Sequence, residues 1–455
     1  MSIPIHSKNQ HTEQVHPELR NGSRVAVVGG GPAGSLFAYF LLELAGRVDL
    51  NLEVDLYEPR DFTQPGPLGC NMCGGVISET LVQNLSIEGF HLHPGVIERG
   101  LDSYLLHTNM GNVLISTPDQ ERRIAAVFRG NGPRDHQDAE VYSYDRYAFL
   151  AAKEKGARTI HKRVDQLAWV DGHPQITTRG SEPSTYDLLV VSTGVNTAFL
   201  KILQEVMPSF QPPTTAKTYI CEYYFDADTV EKYLGNSFHA FLLDIPDLEF
   251  AAIIPKGKYV TVCLIGSQIT PELIQNFLTA PEVKAMMPPD WDVQQMNCHC
   301  SPKMNIRMTC EPFADRLVVI GDSGVSRLYK DGMGAAYRTA KAAASTAIFQ
   351  GISAQDFRRY FWPVCRGMSQ DNRFGRVIFF ISGTIQKLHF AQEAVVRMAT
   401  DEQRGEGNQR TMSTVLWDMF TGSAPYSDIF YRTLSPLFIL RFLGYLAAAV
   451  ISPRR

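Results

Sequence analysis

The sequence lacks several features that would place it in other functional classes. No window reaches the roughly 18 to 20 uninterrupted apolar residues of a membrane-spanning helix. The longest apolar stretch, Pro436–Ile451, is shorter and contains Arg441. Lys and Arg (43) do not outnumber Asp and Glu (47), and this net charge of −4 offers no basic excess for phosphates, so no nucleic-acid partner is expected. G-x-S-x-G, H-E-x-x-H and P-loop motifs are also missing, which leaves hydrolase and kinase functions without support.

An export signal is missing as well. Met1–Asn21 is polar, carries three histidines and lacks a charged-then-apolar layout, so we expect residues 1–21 to form a flexible tail. Eight irregularly spaced cysteines without such a signal favour reduced thiols and a cytoplasmic protein. The stretch Pro436–Ile451 is expected either to pack on the core or to lie in a membrane interface, as a peripheral contact.

The strongest local pattern is a glycine-rich turn between a strand and a helix. In RVAVVGGGPAG, a β-branched run ends at Gly29-x-Gly31-x-x-Gly34, and the helical pattern SLFAYFLLELAG follows. Gly29 permits the tight turn, Gly31 lets the backbone approach a pyrophosphate, and Gly34 allows close packing of helix on strand. The helix N-terminus supplies N–H groups for phosphate, and Ala33 lies in the same loop. This arrangement predicts a dinucleotide-binding unit.

A second strand, LEVDLYEPR, ends at Glu58. A carboxylate at this position accepts hydrogen bonds from ribose hydroxyls. Strand, glycines, helix, strand and acid in this order favour an α/β dinucleotide fold, but they do not distinguish FAD from NAD.

A second motif, DRLVVIGDSGVSRLYKDGMG, distinguishes them. A buried strand ends at Gly321-Asp322, and Gly332-x-Gly334 opens an alanine-rich helix. An aspartate at a strand end can hold ribityl hydroxyls, and a helix N-terminus can face the electron-rich end of a flavin. Together with the first motif, this element indicates FAD.

The two motifs resemble those of the geranylgeranyl reductase family of FAD-dependent oxidoreductases, within the larger group that includes the aromatic hydroxylases. The resemblance covers most of residues 24–350. It implies that the ADP half of FAD is bound by Gly29, Gly31, Ala33, Gly34 and Glu58. It implies further that the ribityl chain and pyrophosphate are held by Gly321 and Asp322. Gly332 and Gly334, at the helix start that can face the flavin, complete the cofactor-binding candidates of this motif.

Three weaker segments agree with the resemblance. YDRYAFL is similar to the family's arginine-bearing segment and places Arg146 near the cofactor; YDLLVVSTG is similar to the strand that ends in a glycine, here Gly194. FAAIIPKGKYVTVCLIG resembles a hairpin of the substrate domain. The sequence departs from the family at Tyr329, where a proline is usual. Tyr329 and Lys330 are catalytic candidates by position only, and the proton donor stays unknown.

A cysteine-containing loop, PLGCNMCGGVIS, falls where the family carries a segment against the flavin ring. The resemblance places Cys73 and Gly74 near the flavin and makes Cys73 a further catalytic candidate. Three interpretations stay open. Cys70 and Cys73 form a redox dithiol, they form half of a metal site completed by Cys298 and Cys300, or they pack in a tight loop. Packing is the favoured interpretation, and no metal is expected.

The predicted fold class is α/β, with a discontinuous Rossmann-like FAD-binding domain, an α+β antiparallel-sheet substrate domain and a helical C-terminal region. The predicted boundaries are 22–200 with 300–350 for the FAD-binding domain, 201–299 for the substrate domain and 351–455 for the helical region. The helical region is expected to contact a membrane peripherally.

The predicted function is FAD-dependent reduction of a carbon–carbon double bond in an isoprenoid or other hydrophobic small molecule. Two alternatives stay open: a flavin-dependent monooxygenase acting on an aromatic or lipid substrate, and a non-catalytic flavin-binding protein. The sequence has no second G-x-G-x-x-G unit for a nicotinamide nucleotide. The electron donor is therefore expected to be transiently bound NAD(P)H or a ferredoxin-like protein.

Overall fold

The computed structural model describes residues 16–64, 68–71, 74–118, 123–133, 143–405 and 410–452. Its first sheet has six strands, in which β20, β12, β1, β2 and β8 run parallel and β19 closes one edge antiparallel. In spatial order they are β19 (Phe313–Ala314), β20 (Leu317–Val319), β12 (Leu188–Val191), β1 (Ser23–Val28), β2 (Leu52–Tyr57) and β8 (Arg158–Ile160).

A second sheet of eight strands is antiparallel except for one parallel pair, β14 with β5. Two of its strands come from residues 103–116, inside the segment predicted for the FAD-binding domain. In order they are β17 (Cys298–Cys300), β13 (Thr214–Tyr224), β16 (Tyr259–Gly266), β15 (Leu248–Lys256), β14 (Ser237–Leu242), β5 (Ser103–Thr108) and β6 (Gly111–Ser116), with β18 (Lys303–Arg307) paired to β13.

Two small three-stranded sheets flank these. One contains β3 (Val76–Ser78), β7 (Ile124–Val127) and β4 (Ile97–Leu101), and the other contains β9 (Val164–Val170), β10 (His173–Thr178) and β11 (Ser184–Thr185).

The helices are shared between the first sheet, the second sheet and the C-terminal region. Those before residue 350 are α1 (Pro32–Arg47), α2 (Glu79–Ile87), α3 (Tyr144–Glu154), α4 (Phe199–Val206), α5 (Ala227–Leu234), α6 (Pro271–Leu278), α7 (Pro281–Lys284) and α8 (Gly332–Phe349). Those after it are α9 (Ala354–Asp356), α10 (Trp362–Lys387), α11 (His389–Arg404), α12 (Thr411–Thr421), α13 (Tyr426–Thr433) and α14 (Pro436–Ile451).

The central strand β1 shows why the first sheet is a buried layer. Val25 and Val27 pack into a core with α1 and α8, whereas Ala26 and Val28 pack on the other face with α4 and β9. Side chains alternate across a strand, and a parallel strand buried on both faces needs an apolar residue at every position. The run VAVV, residues 25–28, satisfies that requirement.

The second sheet is also covered on both faces. Ile253 and Val262 face a core formed with α5, α6 and α7. Ala252 and Ile254, which alternate with Ile253, face a core that includes Trp417 of α12. The C-terminal helices therefore cover the second sheet directly, and the predicted fold class is confirmed.

The described ranges include residues 16–21 of the tail that was predicted over residues 1–21. Leu19 is buried and the Pro17 carbonyl accepts a hydrogen bond from the Ile352 N–H, so residues 17–21 pack on the core. Residues 1–15 lie outside the described ranges. Within the described ranges, no single helix is long and apolar enough to cross a membrane, whereas α13 and α14 together, bent by 68°, meet the length and composition criteria.

Candidate dinucleotide-binding site

The turn after β1 is closed by two glycines that tolerate no side chain. Gly29 has φ +107°, and a Cβ atom there would lie 2.5 Å from the Ser192 carbonyl oxygen. A Cβ atom at Gly34 would collide with the Gly29 carbonyl oxygen and would lie 2.5 Å from Ser192 Oγ. The single hydroxyl proton of Ser192 is shared between the carbonyls of Val28 and Gly29, which lie 3.0 and 2.8 Å from Oγ. These glycines let β1, β12 and α1 approach closely.

Gly31 differs from these two glycines because a Cβ atom there would not collide with any described atom. The nearest described atom to a Cβ atom built there is Asn71 Nδ2, at 3.6 Å. Gly31 is also the N-cap of α1, so free N–H groups of the first helical turn surround the space. This is the cradle expected for a pyrophosphate.

Glu58 is completely buried beside the turn. One carboxylate oxygen accepts the Gly30 N–H (2.8 Å), and the other accepts the backbone N–H and Nε–H of Arg60 (both 3.0 Å). A carboxylate has about four acceptor positions, so one remains for a ribose hydroxyl. Gly30 was missed by the sequence prediction. A Cβ atom there would lie 2.7 Å from both Glu58 Cβ and the Phe149 ring.

The second motif meets the first at Ala33. Gly321 has φ +60°, and a Cβ atom there would lie 2.6 Å from Ala33 Cβ. The Gly321 N–H donates to Thr339 Oγ1 of α8 at 3.0 Å, which fixes the turn after β20 to that helix. Two segments far apart in the chain thus form one site at the carboxyl ends of parallel strands, where ligands bind in open α/β sheets.

Two buried polar atoms at this junction have no hydrogen-bond partner among the described residues: Asp322 Oδ1 and Thr193 Oγ1. Burial raises the pKa of Asp322 despite a hydrogen bond from Ser326. A buried acceptor left unsatisfied costs about 1–3 kcal/mol. These atoms therefore fit a bound ligand that carries hydroxyl groups, and the ribityl chain of FAD meets that description.

The start of α8 is as predicted, but its two glycines have different surroundings. A Cβ atom at Gly332 would lie 3.8 Å from Asp322 Oδ1, whereas one at Gly334 would collide with the carboxylate of Asp331. Asp331 has φ +56° and caps the helix by accepting the Gly334 N–H at 3.2 Å. Gly334 thus makes room for the N-cap, and the contact of both glycines with a flavin stays a prediction.

Tyr329 and Lys330 turn toward the C-terminal helices. The Lys330 ammonium lies over the rings of Phe379, Phe420 and Tyr426, at 5.7, 5.8 and 5.0 Å from their centroids. Burial lowers its pKa well below the usual value. The Tyr329 ring packs edge-on against Phe379 at 4.9 Å. These contacts favour a structural role over the catalytic role suggested by position.

For the remaining residues predicted to bind the cofactor, the structure gives fewer contacts that define a role. Gly194 follows β12 with φ +69° and has no described atom within 4 Å of a built Cβ. Arg146 lies in the first turn of α3, where its N–H donates to Ser143 Oγ at 3.1 Å. A Cβ atom at Gly74 would lie 3.1 Å from Cys263 Sγ, so the loop rests on the second sheet. Cys73 lies outside the described residues. The cofactor contacts of all four stay predictions.

The cysteine-containing loop lies close to β17, because Cys70 interacts electrostatically with Cys300. Burial, with the nearby Cys70 and Cys298 thiols, raises the pKa of Cys300 to about 12. A raised pKa disfavours the reactive thiolate form of Cys300, and the roles of Cys70 and Cys73 stay predictions. Among the described residues, no group of three or more His, Cys, Asp or Glu side chains is arranged to hold a metal ion.

A buried ionic network that the sequence prediction missed holds this loop beside the glycine turn. Asp145 accepts from Arg129 Nε (2.5 Å), the Gly130 N–H (2.9 Å) and the Asn71 amide. Burial alone would raise the pKa of Asp145, but Arg129 and these hydrogen bonds hold it below its usual value. Arg60 Nη1 donates to Asn71 Oδ1 at 2.8 Å, which joins the network to Glu58.

A second missed pair lies on the sheet face that meets Gly74 and Gly75. Lys256 is 1% exposed, and its Nζ lies 3.8 Å from Glu222 Oε1. The same Glu222 oxygen accepts from Thr261 Oγ1 at 3.0 Å. A Cβ atom at Gly75 would lie 3.0 Å from Lys256 Nζ, so this pair adjoins the loop predicted to contact the flavin.

No known protein family and no curated protein matches the sequence. Among solved structures, the chain is similar to a geranylgeranyl bacteriochlorophyll reductase-like protein from Thermoplasma acidophilum, with TM-score 0.63, 14% identity, and 91% of this chain and 99% of that one covered. It is similar to p-nitrophenol 4-monooxygenase from Pseudomonas putida, with TM-score 0.59, 14% identity, and coverage of 90% and 99%. It is also similar to a halogenase solved in complex with FAD, with TM-score 0.59, 11% identity, and coverage of 96% and 93%. At these identities the likeness establishes that the chain shares the fold of these proteins, one of which was solved with FAD bound.

Proposed function

We propose that the protein is an FAD-dependent oxidoreductase whose cofactor lies between the turn after β1 and the turn after β20. The observation that carries this proposal is the contact of Gly321 with Ala33, which joins the open cradle at Gly31 to the unsatisfied oxygen of Asp322. A ligand with a pyrophosphate in its middle and hydroxyl-bearing groups on both sides matches this order of residues. The FAD-bound halogenase of the same fold supports the assignment.

Each residue has a defined task in this proposal. The N–H groups at the start of α1 would bind the pyrophosphate, the free acceptor position of Glu58 would bind the adenosine ribose, and Asp322 Oδ1 would accept from a ribityl hydroxyl. When bound, FAD would supply hydride-transfer chemistry. The chain itself orients the cofactor and shields the site from water.

We propose further that the reaction reduces a carbon–carbon double bond of an isoprenoid or other hydrophobic substrate. The reductase-like protein of the same fold supports this, as does the apolar wall formed by Ile254 and Cys263 beside Gly74. The Lys256–Glu222 pair adjoins the same wall and is the buried group best placed to hold a proton for the substrate. The electron donor in this scheme is NAD(P)H or a ferredoxin-like protein.

A flavin-dependent monooxygenase is the second candidate, because p-nitrophenol 4-monooxygenase shares the fold at nearly the same TM-score. The third is a flavin-binding protein without catalysis. These candidates differ in what consumes the electrons: a double bond, molecular oxygen coupled to hydroxylation, or no physiological acceptor.

The test is stopped-flow mixing of the anaerobically reduced protein with either a polyprenyl lipid or oxygen, followed by flavin absorbance and product analysis. Fast reoxidation by the lipid, with a saturated product, is expected. Reoxidation by oxygen that yields a hydroxylated product, with an inert lipid, would favour the monooxygenase. Reoxidation that yields neither product would favour the non-catalytic protein.

A further inference from the structure

Helix α14 carries its polar side chains inward. Arg441 approaches Glu402 Oε1 at 3.7 Å, and Tyr445 Oη donates to Asp401 Oδ2 at 2.8 Å, both on α11. Its outer face bears Leu437, Leu440 and Leu443, which are 54, 69 and 54% exposed. A surface helix of a soluble domain normally has the opposite arrangement. The outer face of α14 is therefore suited to contact with an apolar partner.

Helix α10 presents a second apolar surface next to basic residues. Val377, Phe380 and Ile381 are exposed, Phe380 by 77%. Towards the N-terminal end of the same exposed face lie Arg366, Arg373 and Arg376, none of which forms an ion pair with another described residue.

The single acidic residue of α10 does not share that exposed face. Asp371 accepts the N–H groups of Tyr426 and Ser427 at the start of α13, at 3.0 and 2.9 Å. The exposed face of α10 is thus basic and apolar, without an acidic residue.

Helix α13 connects the two surfaces. Tyr431 is 61% exposed, and its ring lies 5.6 Å from that of Phe374 on α10. Leu434, 51% exposed, leads from α13 into α14. Each of the three helices, which pack in the order α10, α13 and α14, therefore exposes apolar side chains.

We propose that the outer faces of α10, α13 and α14 bind an anionic lipid bilayer from one side. The leucines and phenylalanine would enter the boundary between headgroups and acyl chains, and the arginines would contact anionic headgroups. A second copy of the chain fits less well, because a two-fold contact through this surface would bring two unpaired basic patches together. The bilayer offers the complementary charge. This surface is argued independently of the proposed function.

The inner sides of the same helices contact the loop that opens α8, through Phe379 of α10 and Tyr426 of α13 against Tyr329 and Lys330. A bilayer on the outer side would therefore lie next to the elements that border the cofactor site. If the substrate is a lipid, this is the direction from which it would arrive.

Vesicle flotation of the full chain tests the proposal, with phosphatidylcholine vesicles and with vesicles that also contain phosphatidylglycerol. The wild type is expected to float with the anionic vesicles at low salt and less at high salt. The double variant Leu440→Glu, Leu443→Glu should lose flotation, whereas Ile87→Glu, at a 79% exposed position of α2, should keep it. Replacement of Arg373 and Arg376 by Gln should weaken binding about five-fold per arginine, and Arg179→Gln should not.

Equal thermal unfolding midpoints for the variants would exclude misfolding as the cause of any loss. The proposal is overturned if the wild type does not float with anionic vesicles, or if the double leucine variant floats with them as well as the wild type does. It is also overturned if light scattering without lipid shows a stable dimer that the leucine variant dissociates, since the surface would then be an interface between copies.

Discussion

At the scale of single residues, the glycines of the first motif divide into two kinds. Gly29 and Gly34 are required by the protein itself, because a side chain would strike the backbone or Ser192. Gly31 has room for a side chain in the described structure, and only a ligand would need that room. The sequence motif predicted all three positions, but it could not separate these two causes.

The variant Gly31→Val should fold and yet lose FAD, because its side chain enters the cradle without meeting protein backbone. The measurement is flavin content per purified chain together with the unfolding midpoint of the apoprotein. Gly46→Val, in the last turn of α1, where a built Cβ has no described atom within 4 Å, is the control that should retain flavin. Full flavin content in Gly31→Val would show that the pyrophosphate lies elsewhere.

Asp322 gives a prediction in which binding and stability separate. Asp322→Ala should raise the FAD dissociation constant by roughly ten-fold or more, since a contact of about 1–3 kcal/mol is lost. The apoprotein should lose no more than the roughly 1 kcal/mol of the Ser326 hydrogen bond, because Oδ1 bonds to no described residue and burial already disfavours the charge.

The matched control is Asp145→Ala, where Arg129 and the Gly130 N–H lose their acceptor. This change should destabilise the apoprotein by about 3–5 kcal/mol. Chemical denaturation and flavin titration of both variants decide the matter. Destabilised Asp322→Ala apoprotein with unchanged flavin affinity would assign Asp322 a structural role.

At the scale of elements, β13 and β15 are coupled through the buried Lys256–Glu222 pair. Lys256→Met should cost about 1–3 kcal/mol of unfolding free energy, since it leaves the Glu222 carboxylate, 12% exposed, without its cation. The double variant Lys256→Met, Glu222→Gln should recover part of that loss. A single-variant cost below 1 kcal/mol, measured by urea denaturation, would contradict a buried pair.

Strands β5 and β14 are joined by a buried histidine pair, His107 Nε2 and His239 Nδ1, 3.1 Å apart. Burial lowers the pKa of His107 to about 3 and that of His239 to about 4, from 6.5. Between about pH 6.5 and 4, these two histidines therefore bind protons in the unfolded chain but stay neutral in the folded chain. Stability should fall as pH drops through this window, by up to about 1.4 kcal/mol per pH unit for each histidine.

The slope of unfolding free energy between pH 7 and pH 5 is the measurement. The double variant His107→Gln, His239→Gln should flatten it, whatever its stability at pH 7, whereas the exposed His299→Gln should leave it unchanged. An unaltered slope in the double variant would mean that other groups control acid unfolding.

Local sequence patterns predicted those strands, turns and helices whose formation depends on residues close together in the chain. The hairpin of β15 and β16 was predicted with a Pro-Lys-Gly turn, whereas the observed turn consists of Gly257 (φ +55°) and Lys258. Pro255 and Lys256 therefore lie in the strand. Such pairs as Lys256 with Glu222, or Asp145 with Arg129, depend on which strands and loops meet. Such contacts between distant strands and loops cannot be predicted from local patterns in a single sequence.

At the scale of the whole molecule, the predicted α/β architecture with a second, mostly antiparallel sheet and a helical C-terminal region is confirmed. The sequence did not indicate that β5 and β6 join the second sheet, because that pairing crosses more than a hundred residues of chain. It also did not indicate that Lys330 would be enclosed by aromatic rings of α10, α12 and α13. The second feature follows from how the C-terminal helices dock beside the loop that opens α8.

The central claim is that the two glycine-containing turns form one FAD site. Its most direct test is to release the flavin from purified protein by denaturation, identify it by chromatography and count it against the chain. One FAD per chain is predicted, or uptake of one FAD by protein purified without flavin. Protein that neither contains FAD nor binds added FAD, while remaining folded, would contradict the claim.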